Sequence, residues 1–163
     1  MSEHDANRDL LIGEIARYLE TDLVCHRADT PAALRERQQM VWAPYLSWFE
    51  NEFGAVLNVA AGIIAVAQPE AAAASVKAAL KDQPLEIVQA LKTATSIAGS
   101  AVLSLALWRG AFPAEQIFEA SRVDERFQEE QWGEDAEAKA RENMMRDEFM
   151  KAAALLRRAG PGD

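Results

Sequence analysis

Proline and glycine recur along this chain at the spacing of helix ends, and this punctuation restricts the fold more than any other feature of the sequence. Pro31, Gly54, Pro69, Pro84, Gly110 with Pro113, and Gly133 divide it into stretches of helical length. Proline suits the first turn of a helix and glycine the position just past the last. Within most of the stretches apolar residues recur three and four apart, the period of a helix with one buried face. The first helix is predicted from about Ala6 to Glu20, with Leu11, Ile15, Tyr18 and Leu19 on its stripe. Thr30 and Pro31 read as the cap and first residue of a second, which ends at Gly54 and carries Trp42, Tyr45, Trp48, Phe49 and Phe53. Pro44 lies inside it and is expected to kink or split it. An alanine-rich helix follows from Pro69 to about Lys81.

The next helix, from about Leu85 to Trp108, reads as the most buried. An interior glycine costs about 1 kcal/mol relative to alanine, so Gly99 is expected to mark the close approach of another backbone. Further helices are predicted from Pro113 to Trp132 and from about Glu134 to Arg157, before a tail that frays. Ala55 to Gln68 is apolar without helical period, and V-L-N-V and I-I-A-V read as extended pieces around Gly62. The expectation is an all-α (mainly α) chain: one compact domain of about six helices, with a short irregular, extended segment near residues 55–68.

At 163 residues the chain can bury roughly 70% of its unfolded surface in one core. Its formal net charge of −9 disfavours nucleic acid and anionic membranes, both of which require clustered Lys and Arg. The longest apolar run, Ile97 to Trp108, is short of the roughly 20 residues that span a bilayer. Cys25 is the only cysteine and the N-terminus resembles neither a signal nor a transit peptide, so a cytoplasmic location is expected.

Ser121 to Arg141 carries seven carboxylates around Trp132 and Gly133. Desolvating so many charges is too costly for a core, so the segment is expected at the surface, anchored by Phe127 and Trp132. Trp42, Trp48 and Trp108 read as core, whereas Trp132 is either a core anchor or an exposed binding aromatic. Enzyme chemistry is hard to place. No phosphate loop, nucleophile elbow or zinc motif occurs. Cys25 and His26 are adjacent, and on an extended segment would face opposite ways. A carboxylate metal centre lacks the Glu-x-x-His spacing of di-iron bundles. The residues alone leave open a generic helical adaptor and, less favoured, a carboxylate metal-binding protein.

Five motifs, in order, resemble one family. T-D-L-V-C-H-R-A-D-T-P (Thr21 to Pro31) is similar to the D-x-x-C-Y-R-A segment of the F₁-ATPase assembly chaperones specific for the α subunit, the ATP-twelve family. The Q-x-x-x-W-x-P-x-x-x-W pattern (Gln38, Trp42, Pro44, Trp48), F-G-A-V-L (Phe53 to Leu57) and G-S-A-V-L-S-L-A-L (Gly99 to Leu107) follow. S-R-V-D-E-R-F-Q-E-E-Q-W-G-E-D (Ser121 to Asp135) resembles the most diagnostic stretch of that family. His26 stands where the family usually has tyrosine.

The resemblance implies a chaperone, not an enzyme, that binds unassembled ATP synthase α subunit and shields its β-facing surface until the α₃β₃ head forms. It implies no cofactor, no metal and no small-molecule substrate. Family members carry a smaller β-rich domain before the first helix, so residues 1–163 are expected to correspond to the helical C-terminal domain alone. W-G-E-D-A-E-A looks like the alphaproteobacterial version. The family's functional glutamate lies shortly after the Trp-Gly pair, which makes Glu134, Asp135 and Glu137 candidates. With the acidic patch and its aromatic, the candidate partner-binding residues are Glu129, Glu130, Trp132, Glu134, Asp135 and Glu137.

Overall fold

A computed structural model describes residues 2–62 and 64–158. Eight α-helices are found among these residues: α1 (Glu3–Arg17), α2 (Ala32–Phe53), α3 (Glu70–Leu80), α4 (Leu85–Ala98), α5 (Ala101–Arg109), α6 (Ala114–Ala120), α7 (Val123–Trp132) and α8 (Ala136–Arg158). The mainly α expectation holds, and eight replaces six because two predicted helices are each broken in two.

The first break separates α4 from α5. Gly99 adopts a left-handed conformation (φ 67°) that ends α4, and a Cβ built on it would meet nothing within 4 Å. Another backbone does come close, the Leu23 N–H donating to the Gly99 carbonyl at 3.0 Å, but a Cβ would not obstruct it, so the glycine serves backbone conformation. Ser100 restarts the helix, its Oγ accepting from the Leu103 N–H at 3.0 Å. The decisive group is Asp22, far away in sequence and fully buried. Its Oδ2 accepts from the backbone N–H of Ala101 (2.8 Å) and of Val102 (3.1 Å), and its Oδ1 from the Ser100 hydroxyl. It also holds its own segment, accepting from the Val24 N–H at 3.3 Å. Burial pushes the Asp22 carboxyl up to about 6, against these donors, which favour its charged form.

The second break lies at Ser121–Arg122, between α6 and α7. The Trp42 indole of α2 donates to the Ala120 carbonyl at 2.8 Å, and the Ser121 hydroxyl donates to the Phe118 carbonyl at 2.6 Å. Side chains satisfy carbonyls at the end of α6, so the chain can turn there without leaving buried acceptors unpaired.

α2 begins at Ala32 with Pro31 at the cap position, one residue later than expected. It runs unbroken through Pro44 to Gly54, which has φ 72°. Splitting is avoided because Pro44 and Met40 both lie on the exposed side. The Met40 carbonyl, which has no N–H partner at Pro44, can therefore be solvated. The expected extended segment contracts to a minimal parallel pairing. β1 (His26–Arg27) meets β2 (Ala60–Ala61), with His26 opposite Ala60 and Arg27 opposite Ala61. Val56 to Val59 forms no strand, and within I-I-A-V Ile63 lies outside the described residues. Side chains pin the loop instead: the Asn58 N–H donates to Gln68 Oε1 at 2.8 Å, and Gln68 Nε2 returns a bond to the Asn58 carbonyl at 3.1 Å. The frayed tail predicted after Arg157 falls, from residue 159 onward, outside the described residues.

The core centres on α5, where every residue from Ala101 to Trp108 is buried. α4 packs against both α1 and α8, and α5 packs against α2, α4 and α8. Trp42 and Trp108 are buried as predicted, and Trp48 is partly buried against the core. This arrangement places α7 and α8 beside each other, with the Trp132–Gly133 turn between them at the surface.

Candidate functional site

The acidic stretch forms most of α7, the following turn and the first turn of α8. Phe127 is buried and anchors α7 as expected. Trp132 does not anchor anything. It is 83% exposed, at the last position of α7, where Gly133 (φ 83°) turns the chain away. Its indole stands in water at the end of α7.

Trp132 forms one wall of a cleft of about 300 Å³ that also includes Glu125, Gln128, Glu129, Asp135 and Ala138. Of the six candidate residues, the fold brings three together here: Glu129, Trp132 and Asp135. The other three go elsewhere. Glu130 faces α2 and is gripped by both Nη atoms of Arg37, Oε1 to Nη2 at 3.0 Å; that hydrogen-bonded pairing pushes its carboxyl below the usual range. Glu134 lies 3.5 Å from Lys139 Nζ. Glu137 is exposed in the first turn of α8, and its backbone N–H donates to Asp135 Oδ1 at 3.0 Å. Asp135 is thus both a rim carboxylate and the group that starts α8.

Beneath the rim lies a charge network that the sequence reading missed. Glu142 of α8 is only 3% exposed. Its Oε1 accepts from Arg126 Nη1 at 2.8 Å and Arg122 Nε at 3.1 Å. Its Oε2 accepts from Arg126 Nη2 at 3.0 Å and from Lys139 Nζ at 3.5 Å. Hydrogen bonding from Arg126 is the main cause that holds the Glu142 carboxyl down at about 2. Arg126 also takes Glu119 of α6 side-on, Nε at 2.9 Å and Nη2 at 2.8 Å. Three helices are thereby clamped under the cleft. A signal was available: Lys139, Glu142 and Arg146 are spaced three and four apart, so they share one face of α8.

No catalytic arrangement forms around the single cysteine. Cys25 is fully buried, and burial pushes its thiol pKa up, the reverse of an activated nucleophile. His26 is occupied at both nitrogens, Nδ1 at 2.8 Å from the Asp22 carbonyl and Nε2 at 2.8 Å from that of Ile64. Among the described residues, no group of three or more His, Cys, Asp and Glu side chains converges in a way that could hold a metal.

Three solved structures share this fold. ATP12 from Paracoccus denitrificans superposes with a TM-score of 0.86 at 31% identity, covering 91% of this chain and 64% of that one. A single-substitution variant of the same Paracoccus protein gives 0.87 at 29% identity, over 96% of this chain and 67% of that one. A candidate chaperone from Agrobacterium tumefaciens gives 0.84 at 36% identity, over 93% and 56%. The family model described as ATP12 chaperone protein matches residues 1–50. This chain matches the ATP12 chaperone family in sequence and in fold. It spans 64% of the length of the first Paracoccus chain.

Proposed function

We propose that this chain is a holding chaperone for assembly of the ATP synthase catalytic head. It binds the unassembled α subunit and shields its β-facing interface until the α₃β₃ head forms. Trp132 carries the reading: an exposed indole on an acid-rimmed cleft, in a chain that matches ATP12 chaperones. A subunit interface presented alone is apolar and aggregation-prone. Trp132 supplies apolar contact to such a surface, and Glu125 and Asp135 on the rim pair with its arginines. Rim charges contribute steering and specificity more than raw affinity, which leaves the client releasable to its proper partner. The chaperone acts in the bacterial cytoplasm; no helix among the described residues is long and apolar enough to cross a membrane. Residues 1–163 act as the helical C-terminal domain of such a chaperone.

Co-expression of this chain with α, and separately with β, followed by pull-down of the soluble fraction, tests the reading. Selective solubilisation of α, weakened by Trp132→Ala or Glu125→Lys, is the expected result. Equal recovery of α and β, or of α with and without the chain, would overturn it.

A further inference from the structure

Arg27 is a buried cation without a counter-ion. It is 7% exposed, and among the described residues no carboxylate lies within ion-pair distance of it. Its Nη1 donates to the carbonyls of Val24 (2.7 Å) and His26 (3.0 Å), which closes the turn before β1. Its other edge is nearly idle. Nε donates to one atom, the amide oxygen of Gln39, at 3.0 Å, and Nη2 is buried with no partner. Burial pushes the pKa of this guanidinium down, as a cation left without an anion requires.

The Nε and Nη2 N–H bonds point along the same edge of a guanidinium, the edge that takes both oxygens of a carboxylate side-on. This molecule uses that edge elsewhere: Arg126 holds Glu119 through Nε and Nη2. At Arg27 the same fork holds a single neutral oxygen from an exposed side chain. Arg27 also lines a mainly apolar cleft of about 310 Å³ with Leu23, Leu34 and Trp42. The volume suits one side chain or one small molecule. Asp124 is the one carboxylate on its walls, and its Oδ1 is engaged by Gln38 Nε2 at 2.7 Å.

We propose that Arg27 is the recognition residue of a carboxylate-binding site, in which a carboxylate on a short apolar stem displaces the Gln39 amide and is held by Nε and Nη2. The stem lies against Leu23, Leu34 and Trp42. The source is a free monocarboxylic acid or a glutamate side chain of a bound polypeptide, which share this chemistry. The site does not depend on the identity of the client.

The test is an NMR titration of the ¹⁵N-labelled chain, following the Arg27 Nε–H and the Gln39 side-chain amide. Sodium butyrate should shift both saturably, and butyramide, its neutral isostere, should shift neither. N-acetylglutamate methylamide separates the sources: tighter binding than butyrate assigns a polypeptide, weaker binding a free acid. Gln39→Glu, on an exposed position, places a carboxylate where the amide oxygen sits. It should raise Tm and abolish the butyrate response. Equal shifts from butyrate and butyramide, or a Gln39→Glu chain with unchanged or lower Tm, would overturn the proposal.

Discussion

Replacing Glu142 with glutamine keeps its shape and removes the one buried charge on which Arg122, Arg126 and Lys139 converge. Breaking a buried ion pair costs about 3–5 kcal/mol, whereas an exposed pair contributes about 0.2–1. Glu142 belongs with the buried class, but its cationic partners have side chains between 16% and 32% exposed. A loss of about 2–3 kcal/mol follows from that mixture of burial and screening. The carboxyl pKa gives an independent check, since it falls from 4.5 to about 2. At about 1.4 kcal/mol per unit that shift gives a ceiling of about 3 kcal/mol. For a chain of this size Tm should drop by about 5–10 °C at neutral pH. Because the folded pKa is depressed, the stabilisation is complete above about 4.5 and is lost as pH falls toward 2. Glu142→Gln and the parent should therefore differ fully at pH 7 and converge near pH 2.5, in thermal or urea unfolding followed by circular dichroism. A variant within about 0.5 kcal/mol of the parent at pH 7 would refute the reasoning, as would a gap that persists in acid.

Asp22 should act in the opposite direction and in a higher window. Its folded pKa is raised from 3.8 to about 6 by burial, so its contribution is fully present below about 4 and is lost as pH rises through 6. The parent should gain about 2 kcal/mol between pH 7 and pH 4.5 from this group, and Asp22→Asn should flatten that rise in urea titrations. Trp132→Ala should leave Tm within about 1 °C, because the indole is exposed. It should also weaken capture of α by roughly tenfold or more, as loss of a contact aromatic does; unchanged capture would remove Trp132 from the interface. Cys25 should resist Ellman's reagent in the native chain and react at the rate of global unfolding. Immediate labelling would contradict its burial.

Much of the helical order was legible because its signals are local. Gly54 and Pro69 mark boundaries whatever surrounds them, since a positive φ or a missing N–H is settled by one residue. The stripes of α1 and α2 identified Ile15, Trp42 and Phe49 as core for the same reason. The acidic face was readable from the cost of desolvating charge, although the places its carboxylates occupy were not. Glu130 turns to Arg37 of α2, and Trp132 stands in solvent although aromatic content suggested an anchor. Helical period on α7 gives the face of a residue but not which neighbouring helix supplies a cation.

The sequence by itself determined the class of fold, most helix ends, the surface position of the acidic stretch and, through five ordered motifs, the family resemblance. Each depends on chemistry within a few residues or on a pattern along the chain. The tertiary structure alone decided where α4 gives way to α5 and α6 to α7. In each case distant groups settle the matter: Asp22 takes up the first N–H groups of α5, and the Trp42 indole takes the Ala120 carbonyl at the end of α6. The Arg27 fork and the Glu142 clamp have the same origin. Buried polar groups must find partners, and which partners lie within reach is fixed only when the helices pack.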